Sequence, residues 1–407
     1  MKYKVLAGIA VLCLMLSGCS AWLDGSYYSV TPHLEQQGGE EEEIIHVTDY
    51  EELCNALTKM IDTRTGSGVI SMADYPAHLR FVDVQRAIDY AKNTYPMGAY
   101  SVSRIRQESG TKAGRPAFAI SIEYDRLPSE MEQVQPVLGI EGAKAATYSA
   151  LNQCSCSITM KVIHFTETDF SQIVEDYAAM HPEMVMETPQ VTVSYYPEYG
   201  ATRIVELKFT YLTSRESLRM MQTQVEPLFT SAKAYVSGDA DEHQKFMQMY
   251  SFLMKRYDYK IETSITPAYS LLQHGVGDSK AFASVYASMC RSADLTCTMV
   301  TGTRNGEPWT WNIVKDGDEH YHVDLLRCLQ EGWFHEMSDD EMKGYVWDYS
   351  AYPACERAQD IQPEKPGIAD GSKVPEESTA PEETTESSEN PGETGENPTE
   401  TTAAENP

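Results

Sequence analysis

Three short stretches of this 407-residue chain hold residues able to do chemistry together. Ser279 sits in Gly277-Asp278-Ser279-Lys280, Trp309 in Trp309-Thr310-Trp311-Asn312, and His322 and Asp324 in Tyr321-His322-Val323-Asp324. Asp278 suits the cap of a helix that begins at Ser279. A helix N-terminus favours negative charge, yet a serine hydroxyl still needs an adjacent base to act as a nucleophile. Trp309 offers one N–H donor and no basic nitrogen, so it cannot take that proton. His322 and Asp324 are two residues apart on a strand and share a face, with His322 read as a supporting residue. Lys280 follows Ser279 directly and points to another face of the helix. Cys290 and Cys297 lie about three helical turns or more beyond Ser279 and cannot supply a thiol there. His274 and His320 read as surface residues.

Taken together, residues 275–283, 309–312 and 321–324 resemble the three signature segments of the transglutaminase-like superfamily. The resemblance covers roughly residues 247–325. It implies a nucleophilic Cys at position 279, a His at 309 and an Asp at 324, and here these positions hold Ser279, Trp309 and Asp324. It also implies a helix followed by three antiparallel strands, related to papain-like cysteine proteases. Losing nucleophile and base together removes roughly a million-fold of triad catalysis. The resemblance therefore implies a degenerate, non-catalytic site. Trp309 then either lines a groove, with Trp311 and His322 as further binding residues for a peptide or glycan, or fills the space of the missing imidazole. The alternative is a divergent hydrolase or acyl transferase acting through Ser279. No cofactor or metal is expected.

The elements that must position these residues are α+β. After Asp278, Phe282, Val285, Tyr286, Met289 and Ala293 recur at helical spacing and predict a helix buried along one stripe. Strands are expected over 298–302, 310–314 and 320–325, with Asp316-Gly317 as a hairpin turn. Upstream, residues 222–258 read as helical with a break at Gly238. The preceding region alternates helices (50–61, 82–93, 142–152, 169–180) with strands (100–105, 117–124, 157–165, 191–196, 203–211). Two of these strand pairs form hairpins ending at Tyr124 and Tyr211, each followed by a Ser-containing turn and a polar helix start, at Ser129-Glu130-Met131 and Ser214-Arg215-Glu216. That pattern fits a duplicated α+β unit or a coincidence of α+β patterning.

The ends carry a different kind of signal. Lys2 and Lys4 precede an apolar run over 5–16 that is too short to span a bilayer. Leu16-Ser17-Gly18-Cys19 resembles a bacterial lipobox, so residues 1–18 are expected to be a lipoprotein signal peptide and Cys19 the lipidated residue, carrying palmitate. Residues 19–45 then form a tether, 46–238 an N-terminal α+β domain, and 239–358 the transglutaminase-like domain. Residues 359–407, rich in Ser, Thr, Glu and Pro, read as a disordered acidic tail. The expected location is the extracytoplasmic side of the cell membrane. The expected partners are the membrane through the lipid, and a peptide, peptidoglycan or envelope protein.

The formal net charge of −29 argues against nucleic acid and anionic lipid surfaces. With Cys13 of the leader and the lipidated Cys19 set aside, seven of the nine cysteines remain, an odd number and a poor disulfide framework. Cys290 and Cys297 bracket one helix end and the next strand, and either pair or stay as free thiols.

Overall fold

The computed structural model describes residues 44–361. The expected signal peptide, Cys19, nearly all of the tether and the tail beyond Ile361 lie outside the described residues.

The first unit runs β1 (Ile44–His46), α1 (Tyr50–Asp62), β2 (Ser67–Ser71), α2 (Arg80–Asn93), a short α3 (Pro96–Ser101), β3 (Val102–Lys112) and β4 (Arg115–Tyr124). Asp49 caps α1 by accepting the Glu52 N–H at 2.9 Å, and Leu53, Leu57, Met60 and Ile61 turn one stripe of that helix inward. The β3–β4 turn is two residues, Ala113 and Gly114, both at positive φ (51° and 75°), which matches strand twist in a tight hairpin. Tyr100 and Ser101, expected in a strand, belong to α3 instead, because Pro96 starts a helical turn at its first position.

A short α4 (Pro128–Glu132) leads to the second unit: β5 (Gln135–Leu138), α5 (Gly139–Asn152), β6 (Ser157–Ile163), α6 (Phe170–Met180), β7 (Gln190–Tyr196) and β8 (Thr202–Thr210). The sheet orders are β1-β2-β4-β3 and β5-β6-β8-β7. In each, the first pair is parallel and the other two are antiparallel. The two hairpins noted in the sequence thus belong to two units of one topology. Arg126 joins them. Its guanidinium lies 4.6 Å from the Tyr100 ring centroid and bonds both oxygens of buried Glu206, at 3.3 and 3.1 Å.

The remaining elements are α7 (Arg215–Tyr235), α8 (Glu242–Met254), β9 (Lys260–Ile261), α9 (Pro267–His274), β10 (Val276–Gly277), α10 (Ser279–Ser292), β11 (Cys297–Arg304), β12 (Glu307–Asp316), β13 (Glu319–Val323), α11 (Leu325–Glu331), β14 (Phe334–Glu336), β15 (Tyr345–Val346) and β16 (Gln359–Ile361). Helix α10 is the core element. Phe282, Val285, Tyr286 and Met289 pack with Phe246, Met249 and Leu253 of α8 and with Val314, Tyr321 and Val323 of the sheet. The sheet is antiparallel in the order β13-β12-β11-β15. Its other face carries a second small core, with Val300, Trp311, Ile313, Met337 and Trp347. At Gly302 a Cβ would lie 2.2 Å from the Val346 carbonyl oxygen and 3.0 Å from the Trp311 ring. Only glycine lets β15 lie so close to β11 at that point.

Three boundaries differ from the sequence reading. Helix α7 begins at Arg215, at the polar start read from Ser214-Arg215-Glu216 and ahead of the helical pattern read from 222, because the Ser214 hydroxyl caps it. Its residues Leu218, Val225, Phe229 and Ala232 enter the same core as α10, so α7 packs with the C-terminal part of the chain. Asp324 is not within a strand: it caps α11, a helix that short spacing did not reveal. Residues 359–361, placed in the tail, pair with β14, and Ile361 packs on the core. No helix among the described residues is long and apolar enough to cross a membrane.

Candidate functional site

Ser279 is the first residue of α10. Asp278 caps the helix by accepting the Ala281 N–H at 2.9 Å. Ser279 is only 9% exposed, and its Oγ accepts the Thr310 N–H at 3.3 Å. Among the described residues no imidazole, carboxylate, amine or thiol hydrogen-bonds this hydroxyl. The flank of α10 is covered by the second α+β unit: Ser284 donates to the Ala179 carbonyl, and Ser288 donates to Glu183 at 2.6 Å.

Trp309 lies on β12 opposite Gly302 and is half-buried. Its indole Nε1–H donates to Asp324 Oδ2 at 2.8 Å. Asp324 itself is 1% exposed and saturated. The same Oδ2 accepts the Tyr345 hydroxyl at 2.6 Å and Arg304 Nη1 at 3.3 Å. Its Oδ1 accepts the Leu326 and Arg327 N–H groups at 3.0 and 3.2 Å, as the cap of α11. The Arg304 guanidinium stacks between two rings, 5.2 Å from Trp309 and 5.3 Å from Tyr345. Burial and the Asp324 carboxylate push the Tyr345 phenol far up, so it stays a donor. Asp324 therefore pairs with Trp309, the position where the family resemblance implies a histidine, and has no imidazole to orient.

Trp311 and His322 are both fully buried, so neither presents surface to a ligand. Trp311 Nε1–H donates to His322 Nδ1 at 2.9 Å. Indole nitrogen can only donate, so Nδ1 must accept and the imidazole proton must sit on Nε2. That proton faces Asp339 Oδ1 at 2.8 Å. Burial lowers the His322 pKa, partly offset by Asp339. A neutral His322 with both nitrogens engaged has no free lone pair for general base catalysis.

His322, Asp339 and Cys355 also bring one ligand atom each within 4.8 Å of one another. A metal at Nε2 would need the proton moved to Nδ1, directly against the Trp311 donor. Burial pushes the Cys355 thiol up to about 12, with Asp339 adding to it, so in this hydrogen-bonded core it stays protonated. These three residues suit a hydrogen-bonded core, not a metal centre or a second triad.

Sequence reasoning missed Arg304, Tyr345 and Asp339. Arg304 precedes the Asn305-Gly306 turn, and Tyr345 lies 21 residues past Asp324. No local period links such positions.

Residues 230–336 match the family model of the transglutaminase-like superfamily, so this part of the chain is a transglutaminase-like domain. A crystal structure of a TGase aligns at 8% identity over 53% of this chain and 63% of that chain, with a TM-score of 0.23. A putative protease from Parabacteroides distasonis aligns at 9% identity over 52% of this chain and 47% of that one, with a TM-score of 0.21. This chain thus spans less than two thirds of the length of either. No curated protein matches it.

Proposed function

We propose that this chain is a non-catalytic transglutaminase-like lipoprotein, held on the outer face of the cell membrane by lipid on Cys19, that binds a peptide or supports an envelope assembly. The observation that carries the non-catalytic reading is the Asp324 carboxylate. Its five hydrogen-bond donors include the Trp309 indole where the family resemblance would put a histidine. A carboxylate so occupied stabilises the fold and cannot orient a base. The anchoring reading rests on Lys2, Lys4, the apolar run over 5–16 and Leu16-Ser17-Gly18-Cys19.

The test is chemical. Purified protein is offered peptide amides with an acceptor amine, and separately a serine-directed phosphonate, alongside the Ser279→Ala variant. The expected result is no turnover and no labelling of Ser279 in either protein. Turnover that disappears in Ser279→Ala would overturn the reading in favour of a Ser279 hydrolase.

A further inference from the structure

Beside the Asp324 cluster the surface opens into a cleft of about 520 Å³. Its wall is unusual for a chain with a net charge of −29. Arg304, Arg327 and Lys343 bring three cations to it, and Glu331, Asp340 and Glu341 bring three acids. The cations are under-used by the protein. Arg304 commits one N–H to Asp324. Arg327 commits Nε to Glu331 and one Nη to the Met337 thioether, a weak acceptor. A guanidinium has five N–H donors, so both keep spare ones. The ammonium of exposed Lys343 has no ion-pair or hydrogen-bond partner among the described residues. The two guanidiniums are the recessed charges, with side chains 20% and 26% exposed against 44% for Glu331. Asp340 and Glu341 are exposed.

We propose that this cleft binds the carboxylate of a short zwitterionic peptide. The recessed arginines take the carboxylate, where planar donors match its geometry. The exposed acids face the solvent side, where they attract an ammonium and repel polyanions. The volume lies within the range of small-ligand sites and suits a ligand of a few residues. This inference deepens the proposed function by naming a ligand class. It uses none of Ser279, Trp309 or the Asp324 carboxylate as a ligand contact.

The test is calorimetric titration of the full chain with trialanine, trialanine C-terminal amide and N-acetyl-trialanine. Trialanine is expected to bind. The amide is expected to bind at least roughly tenfold more weakly, the scale of one lost charge-assisted hydrogen bond. Arg327→Gln and the surface change Lys343→Gln are each expected to weaken trialanine, and to weaken the amide less. N-acetylation is expected to weaken binding by a smaller factor. No heat with trialanine, equal binding of acid and amide, or unchanged binding in Lys343→Gln would each overturn the proposal. Hydrolysis of trialanine lost in Ser279→Ala would overturn the non-catalytic reading and leave the cleft standing.

Discussion

The Asp324 carboxylate gathers five hydrogen bonds at one buried point. Removing its charge-assisted bonds one at a time has a defined cost. Trp309→Phe and Tyr345→Phe are each expected to destabilise by about 1.5–3 kcal/mol in urea unfolding. The double variant should deviate from additivity, because both donors share Oδ2. Asp324→Ala should cost more, about 3–5 kcal/mol, because it strips Arg304 of its ion-pair partner and leaves the Tyr345 hydroxyl buried and unpaired. His322 gives a pH prediction at the same scale. Its folded pKa lies below the ordinary value, so its contribution is present above about pH 6.5 and is lost as pH falls toward the folded value. The melting temperature should therefore drop between pH 7 and 5, and His322→Gln should flatten that drop. An unchanged slope would refute the role given to His322. The resemblance of residues 275–283, 309–312 and 321–324 to the family's signature segments implied Ser279, Trp309 and Asp324 as one set. It did not reveal which side chains saturate Asp324, since Arg304 and Tyr345 come from a different turn and a different strand.

Elements settle what residues cannot. Residues 279–292 form one long helix whose large apolar side chains were readable at helical spacing, but it is buried on more than that stripe, because the small residues Ala283, Ser284, Ala287 and Ser288 are covered as well. Helix α11 and strands β14 to β16 were not readable, because seven, three or two residues carry no period. They are held instead by long-range polar contacts. Arg357 is the clearest case: Nε bonds Glu336 at 2.7 Å and Nη1 bonds Asp316 at 2.5 Å, while Nη2 faces His243 Nδ1 at 3.0 Å. The Glu336 side chain is fully buried. Arg357→Ala should leave that carboxylate uncompensated and cost about 3 kcal/mol or more. Hydrogen exchange should then speed up at the amides of residues 334–336 and 359–361. Protection unchanged at both strands would show that β16 does not depend on this arginine.

At the scale of the molecule, two α+β units of one topology precede the transglutaminase-like domain, and the second packs on the helix that carries Ser279. The sequence hinted at the repeat through two similar hairpins. Sheet order shows that the two units share one topology, because pairing between strands far apart in the chain leaves no local trace. Anchoring belongs to this scale as well. Cells fed a palmitate analogue should label the protein, and Cys19→Ser should abolish labelling and release the protein from the membrane fraction. A labelled or membrane-bound Cys19→Ser protein would refute lipidation at that residue.

What the sequence determined by itself was local: helix α10 and its cap, the hairpins, and the identities at positions 279, 309 and 324 that remove thiol and base. Those follow from side-chain chemistry and from periods of two and 3.6 residues. Only the tertiary structure decided that Trp309 reaches back to Asp324, with Arg304 and Tyr345 filling the space around it. Only it decided that Trp311 and His322 are a buried pair and that a cleft opens beside the Asp324 cluster. Each of these depends on the approach of segments tens of residues apart, which packing of the whole domain dictates and no single stretch records.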